Sequence, residues 1–418
     1  MTTQRTDTNW AGNVRYGASV LHEPTSVEEL QEIVAGASRV RAVGSRHSFN
    51  SIADTNHAQV SVAGLPARVE IDEEQREVTV SAGFRYGELV QQLDAAGWAL
   101  HNLASLPHIS VAGGIATGTH GSGDRNGSLA SAVSALQLVG ADGELREVCR
   151  GDRDFAGMVV SLGALGVVTA VSLDIRPTFQ IRQDVFEHLP WSDLVEHFDE
   201  ITSAAYSVSV FTDWNKVGPT SVWLKSGTTS RSDLFGALPA TSGLHPLPGI
   251  DPESTTDQLG RPGPWWDRLP HFRLGFTPSN GDELQTEYLV PRDHALAAID
   301  AVRSMADIVR PVLLISEIRT VAADPLWLSP SHDTDCAALH FTWRRDVPGV
   351  MACLPALDDA LAPFAARPHW GKLFTTTPER HHAAYPRLVD FGRLVERIDP
   401  TGTFGNALVD GWLGRSNI

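Results

Sequence analysis

Two segments rich in glycine, serine and histidine constrain this chain more than any other feature. The first, residues 44–50, reads GSRHSFN, and the second is the glycine-rich stretch 105–123. Loops of this composition expose successive backbone N–H groups, which can surround an anionic pyrophosphate at close range. Within the first loop, His47 is a nucleophile that a bound electrophile could reach. Neither the G-x-G-x-x-G pattern nor the G-x-x-x-x-G-K-[ST] loop occurs, so the two segments predict a phosphate-binding site of a different kind.

The composition excludes several classes of partner. The 418 residues carry a formal net charge of −17, and such an acidic surface repels nucleic acid and anionic lipid headgroups. Three cysteines, Cys149, Cys336 and Cys353, have neither disulfide nor metal-ligand spacing and are predicted to be buried. The first residues lack the apolar run of a signal peptide, and the most apolar stretch, residues 158–173, is too short to span a bilayer. We therefore expect a soluble, cytoplasmic, monomeric protein without a metal site.

Up to residue 176 the sequence predicts short strands and helices in alternation. Helices are expected at Val27–Gly36, with Ser26 as the N-cap, and at residues 86–98. Strands are expected at 40–43, 69–72, 77–81 and 166–175, the last ended by Pro177, and a hairpin is expected around the turn 140–143. Residues 158–173 are predicted to form two buried elements joined by a tight turn. From residue 177 the chain becomes rich in tryptophan and proline, and residues 229–263 predict long irregular loops.

Polar residues at a spacing of two mark a second candidate site. Three tripeptides show it: Glu317-Ile318-Arg319, His340-Phe341-Thr342 and Trp370-Gly371-Lys372. In a strand this spacing puts the outer two residues on one face. Each tripeptide alone also fits a surface ion pair or a solvated edge. However, residues 312–315 and 337–339 are typical of core strands, where charges are costly unless they are paired or bound. A wall of carboxylate acceptors and cationic donors suits a polyol, whose hydroxyls both donate and accept.

The two loops resemble the N-terminal domain of the vanillyl-alcohol-oxidase-type (VAO/PCMH-type) flavoproteins, which carries a Gly-x-x-His-Ser loop. The resemblance implies an α+β fold with an FAD-binding domain at residues 1–176. It further implies an antiparallel-sheet substrate domain, the cap, at 177–366 and a C-terminal segment, 367–418, that returns to the flavin. In many members of this family the loop histidine is bonded to the flavin 8α-methyl carbon, so we expect covalent FAD on His47. Arg46 stands directly before that histidine, where the family resemblance leads us to expect a small residue, and we expect its side chain to reach the cofactor.

The family's motifs also imply which residues bind FAD. They lie in the two loops, in the turn 161–168 and in the C-terminal tail: Gly44, Ser45, Arg46, His47, Ser48, Ser105, Ser110, Gly113, Gly114, Thr117, Gly118, Thr119, His120, Gly121, Ser122, Gly166, Val167, Val168 and Asn406. The glycines are expected where a Cβ would block close approach of the backbone to the cofactor.

Within this family the chain resembles the bacterial alditol oxidases of the xylitol or sorbitol oxidase type. The resemblance implies substrate contacts from Ser105, Glu317, Arg319, His340, Thr342 and Lys372. It implies oxidation of a primary C1 hydroxyl of an alditol, with hydride transfer to flavin N5 and reoxidation by O2 to H2O2. Lys372, Arg319, His340 and Glu317 are the candidate catalytic residues, and the sequence does not rank the first three as acceptors of the hydroxyl proton.

Two other functions stay open on the sequence alone. An aldonolactone oxidase or dehydrogenase shares the FAD domain, and Ala104 does not decide between oxidase and dehydrogenase. A carbohydrate-binding or flavin-storing protein without turnover is the third possibility, which the charged pocket disfavours.

Overall fold

The computed structural model describes residues 7–227, 233–276 and 282–415. Its strands are β1 (Val20–His22), β2 (Val40–Ala42), β3 (Ala58–Val60), β4 (Val69–Asp72), β5 (Glu77–Ser81), β6 (Trp98–Ala99), β7 (Val133–Val139), β8 (Leu145–Cys149), β9 (Val167–Asp174), β10 (Arg176–Pro177), β11 (Gln180–Glu187), β12 (Ser207–Thr212), β13 (Ser221–Ser226), β14 (Leu238–Pro239), β15 (Gly263–Pro264), β16 (Glu283–Pro291), β17 (Leu313–Val321), β18 (Cys336–Arg344) and β19 (Arg367–Pro368).

The helices alternate with these strands in both halves of the chain. They are α1 (Val27–Gly36), α2 (Tyr86–Ala95), α3 (Val111–Ala116), α4 (Phe155–Met158), α5 (Trp191–Glu196), α6 (Phe198–Thr202), α7 (Ala295–Ser304), α8 (Ala306–Val309), α9 (Val347–Leu361), α10 (Pro378–Ala384), α11 (Leu388–Ile398) and α12 (Ala407–Trp412). Single 3₁₀ turns stand at Ser51–Ala53, Val62–Gly64, Leu129–Ala132, Pro252–Ser254, Trp265–Asp267, Arg292–His294 and Ala362–Phe364.

The N-terminal part holds two sheets. A parallel sheet has the order β1-β3-β2, and an antiparallel sheet has the order β4-β5-β9-β7-β8. The predicted helix α1 is confirmed with its cap, since the Ser26 hydroxyl accepts the N–H of Glu29 at 3.1 Å. The predicted hairpin is confirmed as β7 and β8, with Gly143 at a φ of 79°. Between α4 and β9 the chain turns tightly, with positive φ at Leu162 and Gly163, as expected.

Two expectations for this part are wrong in detail. The helix predicted at 86–98 ends at Ala95, because Gly97 adopts a φ of 84° and the following Trp98–Ala99 pairs with Arg176–Pro177 as strand β6. Cys149 is exposed rather than buried, because it ends β8 at the edge of the antiparallel sheet. Cys336 and Cys353 are buried, as predicted.

The large sheet follows in the order β14-β11-β13-β12-β17-β18-β16-β19, with β15 also paired to β11. One face packs on α7 and α9 through buried residues such as Ile318, Phe341 and Leu357. The opposite face presents the alternate residues of the same strands, which include Glu317 and His340. Alternation along β18, and along β17 beyond the irregularity at Leu313/Ile315, therefore separates an apolar core from a polar wall.

The segments around this sheet follow the composition. The predicted irregular loops are confirmed for 233–263, apart from β14 and one 3₁₀ turn, and residues 229–232 lie outside the described residues.

Among the described helices, the stretch Val347–Phe364 is long and apolar enough to cross a membrane. Its residues Val350, Leu354 and Leu361 are buried in the core beneath the large sheet, and a core helix passes the same test of length and composition.

The C-terminal segment packs on the N-terminal part. Side chains of α11, including Phe391 and Leu394, share a core with α2 and β9. Before α11, an aromatic cluster surrounds His381, whose ring lies within about 6 Å of the rings of Trp370, Phe374, Tyr385 and Trp412. Neither ring nitrogen of His381 has a hydrogen-bond partner among the described residues. Burial lowers the pKa of His381 to about 4.

This cluster predicts a specific proton linkage. Because the folded pKa of about 4 lies below the ordinary 6.5, the unfolded chain binds a proton that the folded chain excludes. Stability is therefore retained above pH 6.5 and lost as the pH falls toward 4. His381→Leu should flatten the slope of the unfolding free energy against pH by about 1.4 kcal/mol per pH unit in this window. Urea denaturation at several pH values measures it. His57→Gln, at an exposed histidine, should leave the slope unchanged, and an unchanged slope in His381→Leu would contradict the assignment.

Candidate active site

A cavity of about 670 Å³ lies between the two glycine-rich loops and the polar face of the large sheet. The two loops are bound to each other by serines: Ser45 Oγ accepts the N–H of Ser110 at 3.0 Å, and Ser110 Oγ accepts the N–H of Ser45 at 3.4 Å. A Cβ on Gly44 would lie 2.4 Å from Ser110 Oγ, and one on Gly113 would lie 2.6 Å from the same atom. Glycine is therefore required here to bring the loops together at the cavity.

His47 projects from the first loop and stacks on Trp10, with ring centroids 5.3 Å apart and planes 21° from parallel. Its Nδ1 is buried and has no hydrogen-bond partner among the described residues. Burial lowers the pKa of His47 to about 4, with the nearby His108 acting in the same direction. The ring is therefore neutral at physiological pH, which is the nucleophilic form of an imidazole.

Arg46 occupies a backbone conformation that favours glycine. Its φ is 62°, in the left-handed region where a side chain is strained. The turn is held by the Arg46 carbonyl, which accepts the N–H of Trp10 at 2.8 Å. Arg46 also lines the cavity, so the departure noted in the sequence lies where a ligand would meet it.

Arg41, which sequence reasoning missed, brings a buried positive charge to the same loops. Its guanidinium donates to the carbonyls of Gly163 at 3.0 Å, Phe404 at 2.6 Å and Leu162 at 2.8 Å, and to that of Ile52. Burial lowers the pKa of Arg41 to about 10, so it stays charged. Its residue type gives no signal in the sequence, because it precedes the glycine loop inside an ordinary strand.

Most of the residues expected to bind the cofactor line the cavity. They are Gly44, Ser45, Arg46, His47, Ser48, Ser105, Ser110, Gly113, Gly114, Thr117, Thr119, His120, Gly166 and Val168. Among the described residues, His, Cys, Asp and Glu form no group of three or more that could hold a metal ion.

The other five expected cofactor residues do not line the cavity, and their role stays a prediction. Gly118, with a φ of 65°, packs on Pro330, and Gly121 packs on the Leu103 carbonyl. Ser122 donates to the Val208 carbonyl, and Val167 is buried in a core. The Asn406 amide donates to the carbonyls of residues 51, 52 and 54 at 3.0, 3.0 and 2.9 Å, so it ties the C-terminal segment to the first loop.

The opposite wall is a row of three polar residues across three strands. In the register of the sheet, His340 of β18 faces Glu287 of β16 on one side and Glu317 of β17 on the other. Arg319 and Thr342 follow on the same face, and all five line the cavity. The structure thus brings Glu317, Arg319, His340, Thr342, Lys372 and Ser105 to one cavity, while their roles stay a prediction.

Glu287 is the acceptor that sequence reasoning missed. It is 1% exposed, its Oε2 lies 2.7 Å from Lys372 Nζ, and its Oε1 accepts from Arg319 Nη2. Burial alone would raise the pKa of Glu287, but the charges of Lys372 and Arg319 hold it well below its ordinary value. The sequence feature that could have revealed Glu287 is a carboxylate two residues after Gln285, directly before the apolar end of β16.

Lys372 and His340 form a second contact on this wall. Lys372 Nζ lies 2.8 Å from His340 Nδ1, and His340 Nε2 lies 3.1 Å from Thr342 Oγ1. Burial and the Lys372 charge lower the pKa of His340 to about 4, and burial lowers the pKa of Lys372. His340 is therefore neutral, and its Nδ1 lone pair accepts from the lysine.

Glu317 completes the wall with partners of its own. Its Oε1 lies 2.8 Å from His271 Nε2 and its Oε2 lies 3.6 Å from Arg319 Nε. Burial would raise the pKa of Glu317, but the Arg319 charge lowers it below its ordinary value. Arg319 Nη1 in turn lies 3.4 Å from Ser105 Oγ of the second loop, so the charged wall touches the loop wall.

These residues fit FAD. The glycine cradle that a Cβ would fill, the unpartnered Nδ1 of His47 and the buried Arg41 cation together suit a dinucleotide with a reactive ring at His47. We expect backbone N–H groups of the loops to hold the phosphates, with the buried Arg41 charge behind them.

Comparisons with known proteins agree with this geometry. A family model described as an FAD binding domain matches residues 18–148, and a model described as D-arabinono-1,4-lactone oxidase matches residues 281–415. An alditol oxidase of Streptomyces sp. is 50% identical over 96% of this chain and 97% of its own length. An L-gulono-1,4-lactone dehydrogenase of Mycobacterium tuberculosis is 30% identical over 95% and 96%. The crystal structure of a cholesterol oxidase from B. sterolicum superposes with a TM-score of 0.77 at 14% identity, over 97% of this chain and 96% of that chain.

The fold and the loop cradle therefore define a two-domain, FAD-binding flavoprotein of the vanillyl-alcohol-oxidase type. With half of its residues identical over nearly the whole length, the chain belongs to the alditol oxidase family of these flavoproteins.

The charge balance at Glu287 can be tested directly. Glu287→Gln keeps the shape of the side chain but leaves Arg319 and Lys372 buried without their shared carboxylate. Breaking a buried pair in this way should lower the unfolding free energy by about 3–5 kcal/mol, measured by urea denaturation. Glu70→Gln removes the exposed Arg68 pair and should leave the stability almost unchanged. Equal effects of the two substitutions would contradict the central role of Glu287.

Proposed function

We propose that this chain is an FAD-dependent alditol oxidase, which converts the primary C1 hydroxyl of an acyclic polyol such as xylitol or sorbitol to the aldose. The observation that carries the proposal is the buried wall of Glu287, Glu317, Arg319 and Lys372, which faces the same cavity as His47. The 50% identity to an alditol oxidase supports this substrate class. FAD, when bound, supplies hydride acceptance at N5 and is reoxidised by O2 to give H2O2.

The wall suits adjacent hydroxyls because each hydroxyl both donates and accepts. Glu317 offers a carboxylate acceptor, Arg319 of β17 and Lys372 of the C-terminal segment offer donors, and Ser105 and Thr342 add hydroxyls in the same cavity. A chain of hydroxyls can therefore bind along the strands, in the cavity that His47 also lines. In a buried site these charge-assisted hydrogen bonds are stronger than bonds between neutral groups.

The hydroxyl proton can leave by a relay, in which Lys372 passes one ammonium proton to Nδ1 of the neutral His340 and takes the hydroxyl proton in its place. The cations of Lys372 and Arg319 stabilise negative charge on the substrate oxygen and so lower the pKa of the hydroxyl. Lys372, whose own pKa is lowered by burial, is in contact with the neutral His340 at 2.8 Å. The contact supports a shared proton site with Lys372 nearest the substrate.

The flavin is held covalently by His47. The buried, neutral imidazole with an unpartnered Nδ1 supports a bond from this atom to the flavin 8α carbon. This bond would replace an imidazole N–H and a methyl C–H by one N–C bond, and the two hydrogens would leave with O2 as H2O2. The stack on Trp10 fixes the plane of the ring for this reaction.

The remaining expectations are part of the same proposal. The enzyme acts as a cytoplasmic monomer on a small-molecule polyol and O2, without nucleic acid or membrane as a partner. The net charge of −17 supports the exclusion of polyanions and anionic lipids.

A sugar-lactone oxidoreductase is the second candidate. It is favoured by the match of residues 281–415, which include Glu287, Arg319 and Lys372, to the D-arabinono-1,4-lactone oxidase model. A lactone presents a ring carbonyl with fewer hydroxyl donors, so it would leave Glu317 with less to accept. The paired carboxylates of the wall therefore favour the alditol.

Anaerobic mixing of the purified flavoprotein with xylitol, sorbitol or a 1,4-lactone tests the proposal. We expect the flavin absorbance at about 450 nm to be lost with the alditols, because hydride reaches the flavin. When O2 is admitted, the absorbance should return and H2O2 should be produced. Arg319→Ala should fold with lower stability, since Glu287 loses a buried partner, and should lose roughly 30- to 1,000-fold in kcat/KM, since Glu317 loses a partner and the substrate a donor. Bleaching by the lactone alone, or near-normal kinetics of Arg319→Ala on alditols, would favour the lactone function.

The covalent bond is tested by denaturation. We expect the flavin to stay with the polypeptide in acid or SDS, and His47→Ala to fold while losing covalent flavin and most activity. The glycines shape the loop and His47 supplies only the nucleophile, so far-ultraviolet circular dichroism should be preserved. Flavin found wholly in the acid supernatant of the wild-type protein, or wild-type turnover by His47→Ala, would refute this role.

A further inference from the structure

Lys225 is a buried cation outside the cavity that the reaction scheme does not use. It lies on β13 and is 1% exposed. Its Nζ donates to the carbonyl of Leu269, to that of Pro270 at 3.0 Å and to His271 Nδ1 at 3.0 Å. An ammonium group has three N–H donors, so these three acceptors use all of them.

This arrangement decides which nitrogen of His271 carries the proton. Because Nδ1 accepts from Lys225, the neutral ring carries its hydrogen on Nε2, which then donates to Glu317 Oε1 at 2.8 Å. Burial lowers the pKa of His271 to about 4, so the ring is neutral. The contacts form one line from Lys225 through His271 to the carboxylate on the cavity wall.

The loop that carries His271 also touches the other side of the site. The N–H groups of His271 and Phe272 donate to the Ser105 carbonyl at 3.2 and 3.4 Å. Thr256 Oγ1 donates to the Pro270 carbonyl at 2.9 Å, independently of Lys225. The loop is therefore anchored at several points. Of these hydrogen bonds and those from Lys225, the Lys225–His271 contact is the one that reaches the imidazole, which also packs edge-on against the rings of Phe211 and Trp223.

We propose that His271, with its tautomer fixed by Lys225, is a positioning residue that sets Glu317 for the substrate. With Oε1 held by the imidazole, Oε2 is directed to Arg319 and to a substrate hydroxyl. The inference rests on the proposed function for the identity of the substrate as an alditol. The competing account is that Lys225 only ties down the carbonyls of Leu269 and Pro270.

Kinetics of four variants separate the two accounts. His271→Leu and Lys225→Met should each lower kcat/KM for xylitol by roughly 10- to 100-fold, mainly through KM, because a disordered Glu317 binds the polyol less well. The double variant should be no worse than His271→Leu within about twofold, since Lys225 acts through His271. His271→Gln should restore kcat/KM to within about threefold of wild type, because the glutamine amide donates at the position of Nε2.

Thr256→Val is the matched control for loop anchoring. It removes the hydroxyl bond to the Pro270 carbonyl and leaves the line from Lys225 to Glu317 intact. It should lower Tm while kcat/KM stays within about twofold of wild type. A loss of kcat/KM in Thr256→Val as large as that in Lys225→Met, or additive losses in the double variant, would overturn the proposal in favour of loop anchoring.

A readout independent of turnover is the ¹⁵N spectrum of histidine-labelled protein, with His271→Gln used for assignment. At pH 6, below the pKa of about 7 to which burial lowers Lys225, His271 should show the Nε2–H tautomer. Lys225→Met should shift it toward a mixture. An unchanged tautomer in Lys225→Met would refute the inference. If no alditol bleaches the wild-type flavin, the proposed function fails, while the tautomer experiment still decides the role of Lys225.

Discussion

The buried carboxylate of Glu287 is the interaction on which the rest of the site depends. It lies on β16 and neutralises Arg319 from β17 and Lys372 from the C-terminal segment. Without this carboxylate, the two neighbouring cations would repel each other in a medium of low dielectric, and nothing would compensate the cost of their desolvation. Glu287 therefore allows the charges needed for polyol recognition to stand in the interior, and it also joins the C-terminal segment to the large sheet.

The loop side of the cavity depends on a different constraint, which is close approach of the backbone. Ser45 and Ser110 bind each other across two loops that are far apart in the sequence, and Gly44 leaves room for that contact. Asn50 and Asn406 then tie the first loop to the C-terminal segment, since the Asn50 amide donates to the carbonyls of Trp370 and Lys372, each at 2.8 Å. Hydrogen bonds thus join the loop that carries His47 to the segment that carries Lys372.

Sequence reasoning was strong where one local pattern determines the structure. The cap at Ser26, the hairpin turn before Gly143 and the alternation of Glu317, Ile318 and Arg319 depend on neighbours in the chain, and the structure contains all three. It failed where partners are distant. Glu287 and His271 acquire their meaning only from the pairing of β16, β17 and a loop around residue 271. Asn406 is predicted at the cofactor by family resemblance, and its contacts with the carbonyls of residues 51, 52 and 54 also tether the C-terminal segment.

The site contains two kinds of buried basic side chain, which differ in charge. Arg319 and Lys372 are the cations that Glu287 pairs, whereas burial lowers the pKa of His47, His271 and His340 to about 4. These imidazoles are therefore neutral near pH 7, and each has one lone pair and one N–H to direct. His271 directs an N–H to Glu317 and His340 accepts from Lys372, while Nδ1 of His47 has no hydrogen-bond partner among the described residues. If His271 and His340 were charged, they would compete with Arg319 and Lys372 for the two carboxylates. Desolvation of the histidines is consequently as necessary to the wall as the charges themselves, because it keeps the carboxylates available for the substrate-facing cations.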